Sequence, residues 1–211
     1  MNTKTFSAGI DPATYIQTIR NYRSFAKSLA EVASADPSHV DALRDAVSRH
    51  PGPVRATIMT EDWCGDSACN TPMVASLCEA AGIELRILRG SETPELKAFI
   101  ETDSSVHPPT DHIPVVSIWD GEFNEIARWI EAPAAVDKKK AEWKSKQPNF
   151  MKLYEDRQSG PDAAKAFATV YRGLLEEMGR WYRDGMWKET TREIVESVAA
   201  ATPASTKGSA D

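Results

Sequence analysis

The amino-acid sequence predicts an α/β domain, a central mixed sheet flanked by helices, with further helices added at both ends. Three observations lead there. Residues 54–59, 83–88, 113–119 and 126–130 are short β-rich apolar runs, the second of them alternating, and all are bounded by turn or helix signals. Helical patterns follow the first two runs directly. The last two are separated by a segment that opens on Asp120-Gly121, a strong turn signal for an antiparallel hairpin.

Ahead of the sheet, Asp11-Pro12 places a capping Asp before a proline at the first helical position. Tyr15, Ile16, Ile19, Tyr22, Phe25, Leu29 and Val32 then recur at helical spacing, which predicts one long amphipathic helix. Asp36-Pro37 repeats the start signal, Val40, Leu43 and Val47 supply a second stripe, and His50-Pro51-Gly52-Pro53 ends it. Residues 1–53 are therefore expected to form a helical extension of two helices packed on the core.

The core is expected over residues 54–147. Its first strand runs into Thr60-Glu61-Asp62-Trp63-Cys64-Gly65-Asp66-Ser67, and Val74, Leu77, Cys78 and Ala81 carry a helical face on to Gly82, a C-terminal stop. After the second strand, Thr93-Pro94-Glu95 starts a helix with Leu96, Phe99 and Ile100 on its buried side. Residues 106–112 are too rich in proline and polar groups to be anything but a loop, and the hairpin that follows holds Trp119 and Trp129 in its core. Beyond Pro133, Lys138, Lys139, Lys140, Lys144 and Lys146 beside Trp143 predict an exposed helix. Its lysines read as a solvated face, because the surrounding charge is acidic.

Residues 148–201 are expected to be helices packed on the core. After Ser159-Gly160-Pro161, the residues Phe167, Tyr171, Leu174, Met178 and Trp181 form the strongest amphipathic stripe in the chain. Gly185 closes that helix, and Trp187, Ile194, Val195 and Val198 predict a last one. Such a stripe suits its own domain or a second chain, so a dimer is as compatible as a monomer. The small and polar residues 202–211 read as a disordered tail.

Composition excludes several function classes. At 211 residues and 41% apolar content the chain can build one sizeable core. Lys and Arg number 25 against 31 Asp and Glu, a net charge of −6, which argues against nucleic acid or an anionic membrane surface as the main partner. No apolar run approaches the roughly 18 residues of a membrane span, and the first eleven residues lack the basic start and apolar stretch of a signal peptide. A cytoplasmic protein is the expectation, and there three cysteines are too few for a disulfide framework.

Cys64 stands out among them. At a strand-to-helix turn, free backbone N–H groups and the helix dipole stabilise a thiolate, which is the reactive form. Asp66 opposes this, since a like charge raises a thiol's pKa. Ser67 is placed to donate its hydroxyl proton to a Cys64 thiolate. Cys78 lies on the helix's apolar face and reads as core. Cys69 and Cys78 stand nine residues apart, on opposite faces of the helix, so the three cysteines do not form a zinc site, and no metal or cofactor is expected.

The order strand, cysteine turn, helix, strand, helix, hairpin resembles the thioredoxin fold, and residue details sharpen the likeness. Trp63-Cys64-Gly65 resembles the thioredoxin Trp-Cys-Gly. Pro72, eight residues on, falls where thioredoxins place a helix-kinking proline, and Ile113-Pro114 resembles their cis-proline loop. Together with Arg180-Trp181-Tyr182-Arg183-Asp184-Gly185, the stretch Glu61 to Asp66 resembles a bacterial thioredoxin-family group with Trp-Cys-Gly-Asp active sites. The resemblance covers residues 54–130. It implies that Cys64 attacks a disulfide or a glutathionylated thiol, with Trp63, Gly65, Asp66, Ile113 and Pro114 as the substrate groove.

Two departures shape the expected chemistry. The second cysteine of a C-x-x-C site would stand at Ser67, so the usual internal disulfide is absent. A residue five positions on lies about 140° around the helix from Cys64, so a bond to Cys69 requires the first turn to unwind. The buried Asp that thioredoxins carry six residues before the nucleophile is replaced by Ile58, and no internal base is evident. The expected activity is single-thiol disulfide exchange with catalytic residues Cys64 and Ser67, resolved by an external thiol such as glutathione or by Cys69. The alternatives are a thioredoxin-like binding module and a redox sensor. His112, in a polar loop, reads as solvated rather than as a proton carrier.

Overall fold

The computed structural model describes residues 1–102 and 107–201, so the tail expected over 202–211 lies outside the described residues. Its centre is a four-stranded mixed sheet in the order β2-β1-β3-β4, made of β1 (Arg55–Thr60), β2 (Glu84–Arg89), β3 (Val115–Trp119) and β4 (Glu125–Ile130). β1 pairs parallel with β2, Arg55 opposite Glu84, and antiparallel with β3, Arg55 opposite Trp119; β3 and β4 form the antiparallel hairpin. Covered on both faces, β1 is buried from Ala56 to Thr60, which is why it reads as a continuous rather than an alternating run.

The hairpin loop depends on Asp120. Its carboxylate accepts the N–H groups of Glu122 and Asn124, each at 2.9 Å, and the Asn124 amide at 2.9 Å. Asp120→Ala removes the shared acceptor of these three part-buried hydrogen bonds. An equilibrium urea titration is expected to show a loss of about 1–3 kcal/mol, and an unchanged midpoint would mean that the loop holds without its side-chain acceptor.

Ten α-helices surround the sheet among the described residues. Four precede β1: α1 (Thr3–Ala8), α2 (Pro12–Thr18), α3 (Arg23–Ala30) and α4 (Pro37–Val47). α5 (Gly65–Ala81) and α6 (Pro94–Thr102) follow the first two strands. After the hairpin come α7 (Ala134–Ser145), α8 (Phe150–Asp156), α9 (Pro161–Trp181) and α10 (Trp187–Ala200). One core joins the sheet to α2, α4, α5 and α10 through Tyr15, Leu43, Leu77, Ile118 and Ile194. A second lies on the far side of α5, where Cys69 and Met73 meet Leu29, Leu174 and Trp187. α5 is thus apolar on nearly every side because it is packed on nearly every side.

The long first helix expected from residue 12 onward is broken. Tyr15 and Ile19 belong to the first core and Leu29 and Phe25 to the second, and one straight helix cannot serve both. The chain leaves helical geometry at Ile19 (ψ 128°) and restarts after Tyr22, which takes a left-handed φ of 58°. The freed N–H of Arg20 donates to Asp62 in the loop before Cys64 at 3.2 Å. Upstream, Ile10 exchanges two backbone hydrogen bonds with Ile87 and covers the outer edge of β2.

The helix after the hairpin is also not wholly solvated. Lys140 faces inward at 6% exposure, a correction to the reading of the lysine run as a solvated face. At the C-terminal end, Gly185 leaves helical geometry at φ +116°. The chain kinks there, between the turn Tyr182–Met186 that extends α9 and the start of α10 at Trp187, and the long amphipathic helix ends where its glycine stands.

Candidate functional site

Cys64 leaves β1 by a short loop and caps the N-terminus of α5 with extended geometry (φ −82°, ψ 115°). The loop is pinned at each acidic residue. Glu61 accepts the Ser91 N–H at 2.6 Å and the Ser91 hydroxyl at 3.0 Å; Asp62 accepts Arg89 Nε at 2.8 Å beside the Arg20 N–H. These anchors place the thiol without touching it, and in the sequence they were visible only as part of the Glu61–Asp66 stretch.

The thiol sits between two backbones. Its sulfur accepts the Ser67 N–H at 3.4 Å and donates to the Ile113 carbonyl at 3.3 Å, and the Ile113–Pro114 peptide bond is cis. Behind it the Ser67 hydroxyl is hydrogen-bonded to the Thr60 hydroxyl. Cys64 is 6% exposed, whereas the neighbouring Trp63 is 63% exposed. Gly65 lets α9 approach closely, for a Cβ there would lie 2.5 Å from Tyr171 Oη and 2.6 Å from Leu175 Cδ2 and would push those side-chain ends aside.

Burial pushes the Cys64 thiol up to about 11. The Asp66 charge adds to the rise, while the Ser67 hydroxyl and the Ser67 and Asp66 N–H groups oppose it. The contest between helix terminus and carboxylate is therefore decided by desolvation, in favour of the protonated thiol. Cys69 and Cys78 are more extreme: burial holds Cys69 well above the ordinary thiol range and pushes Cys78 up to about 12.

Asp66 and Lys140 form the buried pair of a charge cluster whose outer members, Glu131 and Asp137, reach solvent. Lys140 Nζ lies 3.1 Å from Asp66, 3.0 Å from Glu131 and 2.9 Å from Asp137. Burial raises the Asp66 carboxyl to about 6 despite the ammonium, and Glu131 contributes to the rise. Glu131 resists its own desolvation because Lys140 and then His112, whose Nδ1 is 2.8 Å from Glu131 Oε2, hold it below the usual carboxylate value. Lys140 is desolvated too, but its three carboxylates, Asp66 foremost, keep it charged well above the usual range.

A cavity of about 420 Å³ opens over this arrangement. Cys64, Asp66 and Lys140 line it together with Phe150 of α8 and Phe167 and Tyr171 of α9. Trp63, Gly65, Asp66 and Ile113 all line it, so the structure gathers these expected groove residues around Cys64, with Pro114 next to Ile113 in the chain. Cys69 is not brought to the cavity. It is fully buried in the second core, and its carbonyl accepts Trp187 Nε1 at 3.0 Å while the next residue, Asn70, bonds to Tyr182 and Thr190. Sequence reasoning missed Lys140, Glu131 and all of α8, whose roles rest on contacts far apart in the chain. Among the described residues no cluster of His, Cys, Asp and Glu is placed to hold a metal ion.

A cysteine capping the helix after a central β-strand, opposite a cis-proline loop on a neighbouring strand, defines a protein of the thioredoxin fold. A family model described as thioredoxin matches residues 11–144, and the chain belongs to that family. The match begins well before residue 54, so α2, α3 and α4 fall inside the family region. Among solved structures, a protein of unknown function from Pseudomonas aeruginosa is similar at 19% identity with a TM-score of 0.53, over 92% of this chain and 94% of that one. An HIV epitope-scaffold is similar at 17% identity with a TM-score of 0.57, over 94% of this chain and 98% of that one. Likeness at such identity shows the fold. No curated protein matches the chain.

Proposed function

We propose that the protein carries out thiol–disulfide exchange with Cys64 as a single nucleophilic thiol. The observation that supports this most is the placement of Cys64 Sγ, at a helix N-terminus, against the carbonyl before a cis-proline and at the wall of an open cavity. Cys64 attacks a disulfide sulfur to form a mixed disulfide, and an external thiol resolves it. Cys69 does not serve as the resolving thiol in this reading, because reaching Cys64 would mean opening the first turn of α5 and the second core together. Localisation in the cytoplasm is part of the same proposal; among the described residues no helix is long and apolar enough to cross a membrane.

A thiol held at about 11 needs a proton acceptor when it attacks. Asp66, held near 6, is ionised at neutral pH and lines the same cavity. When it takes the Cys64 proton, the charge that opposed the thiolate disappears at the same moment. Asp66 in this reading does the work of the base missing at Ile58.

The test is the pH dependence of mixed-disulfide formation, followed by mass spectrometry. For the wild type the rate is expected to rise through about pH 6 as Asp66 ionises, and again in alkali as the thiol ionises directly. Asp66→Asn removes the lower rise and moves the upper one to lower pH, since a neutral neighbour no longer opposes the thiolate. A lower rise that survives in Asp66→Asn excludes Asp66 as acceptor, and a folded protein without any Cys64 adduct excludes exchange. The protonated resting thiol favours one other reading, a binding module that uses the same cavity without turnover, for which no adduct forms.

A further inference from the structure

We propose that the cavity beside Cys64 selects a low-molecular-weight disulfide carrying a bulky, uncharged apolar or aromatic group, and that α8 and α9 are the specificity elements. This rests on the exchange reading above and names the substrate class of that site. Among the described residues, the large apolar side chains that remain exposed are few: Val32, Trp63, Met151 and Tyr154. Three of the four line this one cavity, Met151 at 59% and Tyr154 at 43% exposure from α8 and Trp63 from beside the thiol. Scattered singly, such residues need no explanation, but gathered around a reactive group they mark a recognition surface.

Behind them stands an aromatic wall. Phe167 lies 5.4 Å from Tyr171 in a stacked pair, 5.9 Å from Phe150 and 5.7 Å from Tyr154 edge-on, so ring faces and edges are available to another ring. Charge argues in the same direction. Three basic residues line the cavity, His112, Lys140 and Lys144; His112 is engaged by Glu131 at 2.8 Å, Lys140 already has three carboxylate partners, and Lys144 Nζ lies 5.6 Å over the Phe150 ring. Against them stand Asp66, Asp111 and Glu131. An anionic thiol such as glutathione meets more carboxylate than free ammonium there, whereas an uncharged group gains apolar contact at no electrostatic cost. A volume of about 420 Å³ is that of a small-ligand pocket, to which α8 and α9 contribute Phe150, Met151, Tyr154, Phe167 and Tyr171.

The exchange step balances within the site. The Cys64 proton passes to Asp66, the sulfur bonds to the nearer sulfur of R–S–S–R′, and the S–S bond breaks. R′S⁻ takes the proton back and leaves as R′SH, while R stays against the aromatic wall. A second small thiol, R″SH, then attacks the Cys64–S–S–R bond, returning the Cys64 thiol and releasing R–S–S–R″.

The experiment measures Cys64 adduct formation with 2,2′-dithiodipyridine, with oxidised glutathione, and with a peptide whose disulfide is flanked by aromatic residues. Each rate is divided by that of the same probe on the urea-denatured chain, which removes intrinsic reactivity. The normalised rate for dithiodipyridine is expected to saturate with concentration and to exceed that for oxidised glutathione about tenfold. In the double variant Met151→Ala, Tyr154→Ala that ratio falls toward one; both side chains are exposed, and a circular dichroism melt checks that the fold is kept. A ratio near one in the wild type, or a ratio that the double variant leaves unchanged, overturns the selection of apolar groups. A peptide that outruns both small probes overturns the small-molecule assignment in favour of a polypeptide. Absence of any adduct in the folded chain, with normal labelling of the denatured one, rejects the exchange reading itself.

Discussion

Cys64→Ser is expected to abolish mixed-disulfide formation, with a loss of at least about 10³-fold in rate, while leaving the protein folded. The size follows from the absence of a substitute. Cys69 is fully buried with its thiol held well above the ordinary range, and Cys78 is buried with its thiol near 12, so neither supplies thiolate at neutral pH. Structural cost is small because the substituted atom is a helix cap: the Cys64 sulfur accepts the Ser67 N–H, and serine is among the best residues for that task. The fitting measurement pairs the exchange rate with a thermal melt. Retained exchange in a folded Cys64→Ser protein would place the nucleophile elsewhere in the chain.

The second large effect concerns stability. Lys140→Met keeps much of the side chain's bulk but leaves the buried Asp66 with no counter-charge, while Asp137 reaches solvent and Glu131 keeps His112, and is expected to cost about 3 kcal/mol at pH 8. The cost should shrink in acid. Without the ammonium, the folded-state pKa of Asp66, already raised to about 6, rises further, and Glu131 loses one of the partners that held it low. A carboxylate whose folded pKa exceeds its unfolded one contributes stability that is present below the unfolded value and lost as pH rises through the folded value. Urea titrations of variant and wild type at pH 5 and pH 8 should thus show the smaller difference at pH 5. Equal losses at both values would mean that the stem's packing, not the ammonium's charge, is what Lys140 supplies.

Legibility in the sequence divides along the same line as these two predictions. The four β runs, the helix starts at Asp11-Pro12 and Asp36-Pro37, the stop at Gly82 and the placement of Cys64 at a strand-to-helix turn could all be read directly, and each appears in the structure within a residue or two. They rest on interactions between residues close in the chain: caps, turn geometry and the periodicity of burial. The break between α2 and α3 could not be read, because it arises from two different cores claiming the two ends of one amphipathic stripe. The inward turn of Lys140 could not be read either, since its partners come from α5, from the segment after β4 and from its own helix, and in the sequence it is one lysine among five.

Cys64 shows the boundary most clearly. Its identity as the thiol at a helix start, with Ser67 where a second cysteine would stand, follows from local sequence alone. Its protonation state does not. The sequence put a helix terminus and a nearby carboxylate in opposition, and both are local. What decided between them was the burial of the thiol, which leaves Cys64 6% exposed and sets its sulfur against the Ile113 carbonyl, brought there from a distant part of the chain. Desolvation depends on every group that excludes water from an atom, so it exists only once the tertiary structure does.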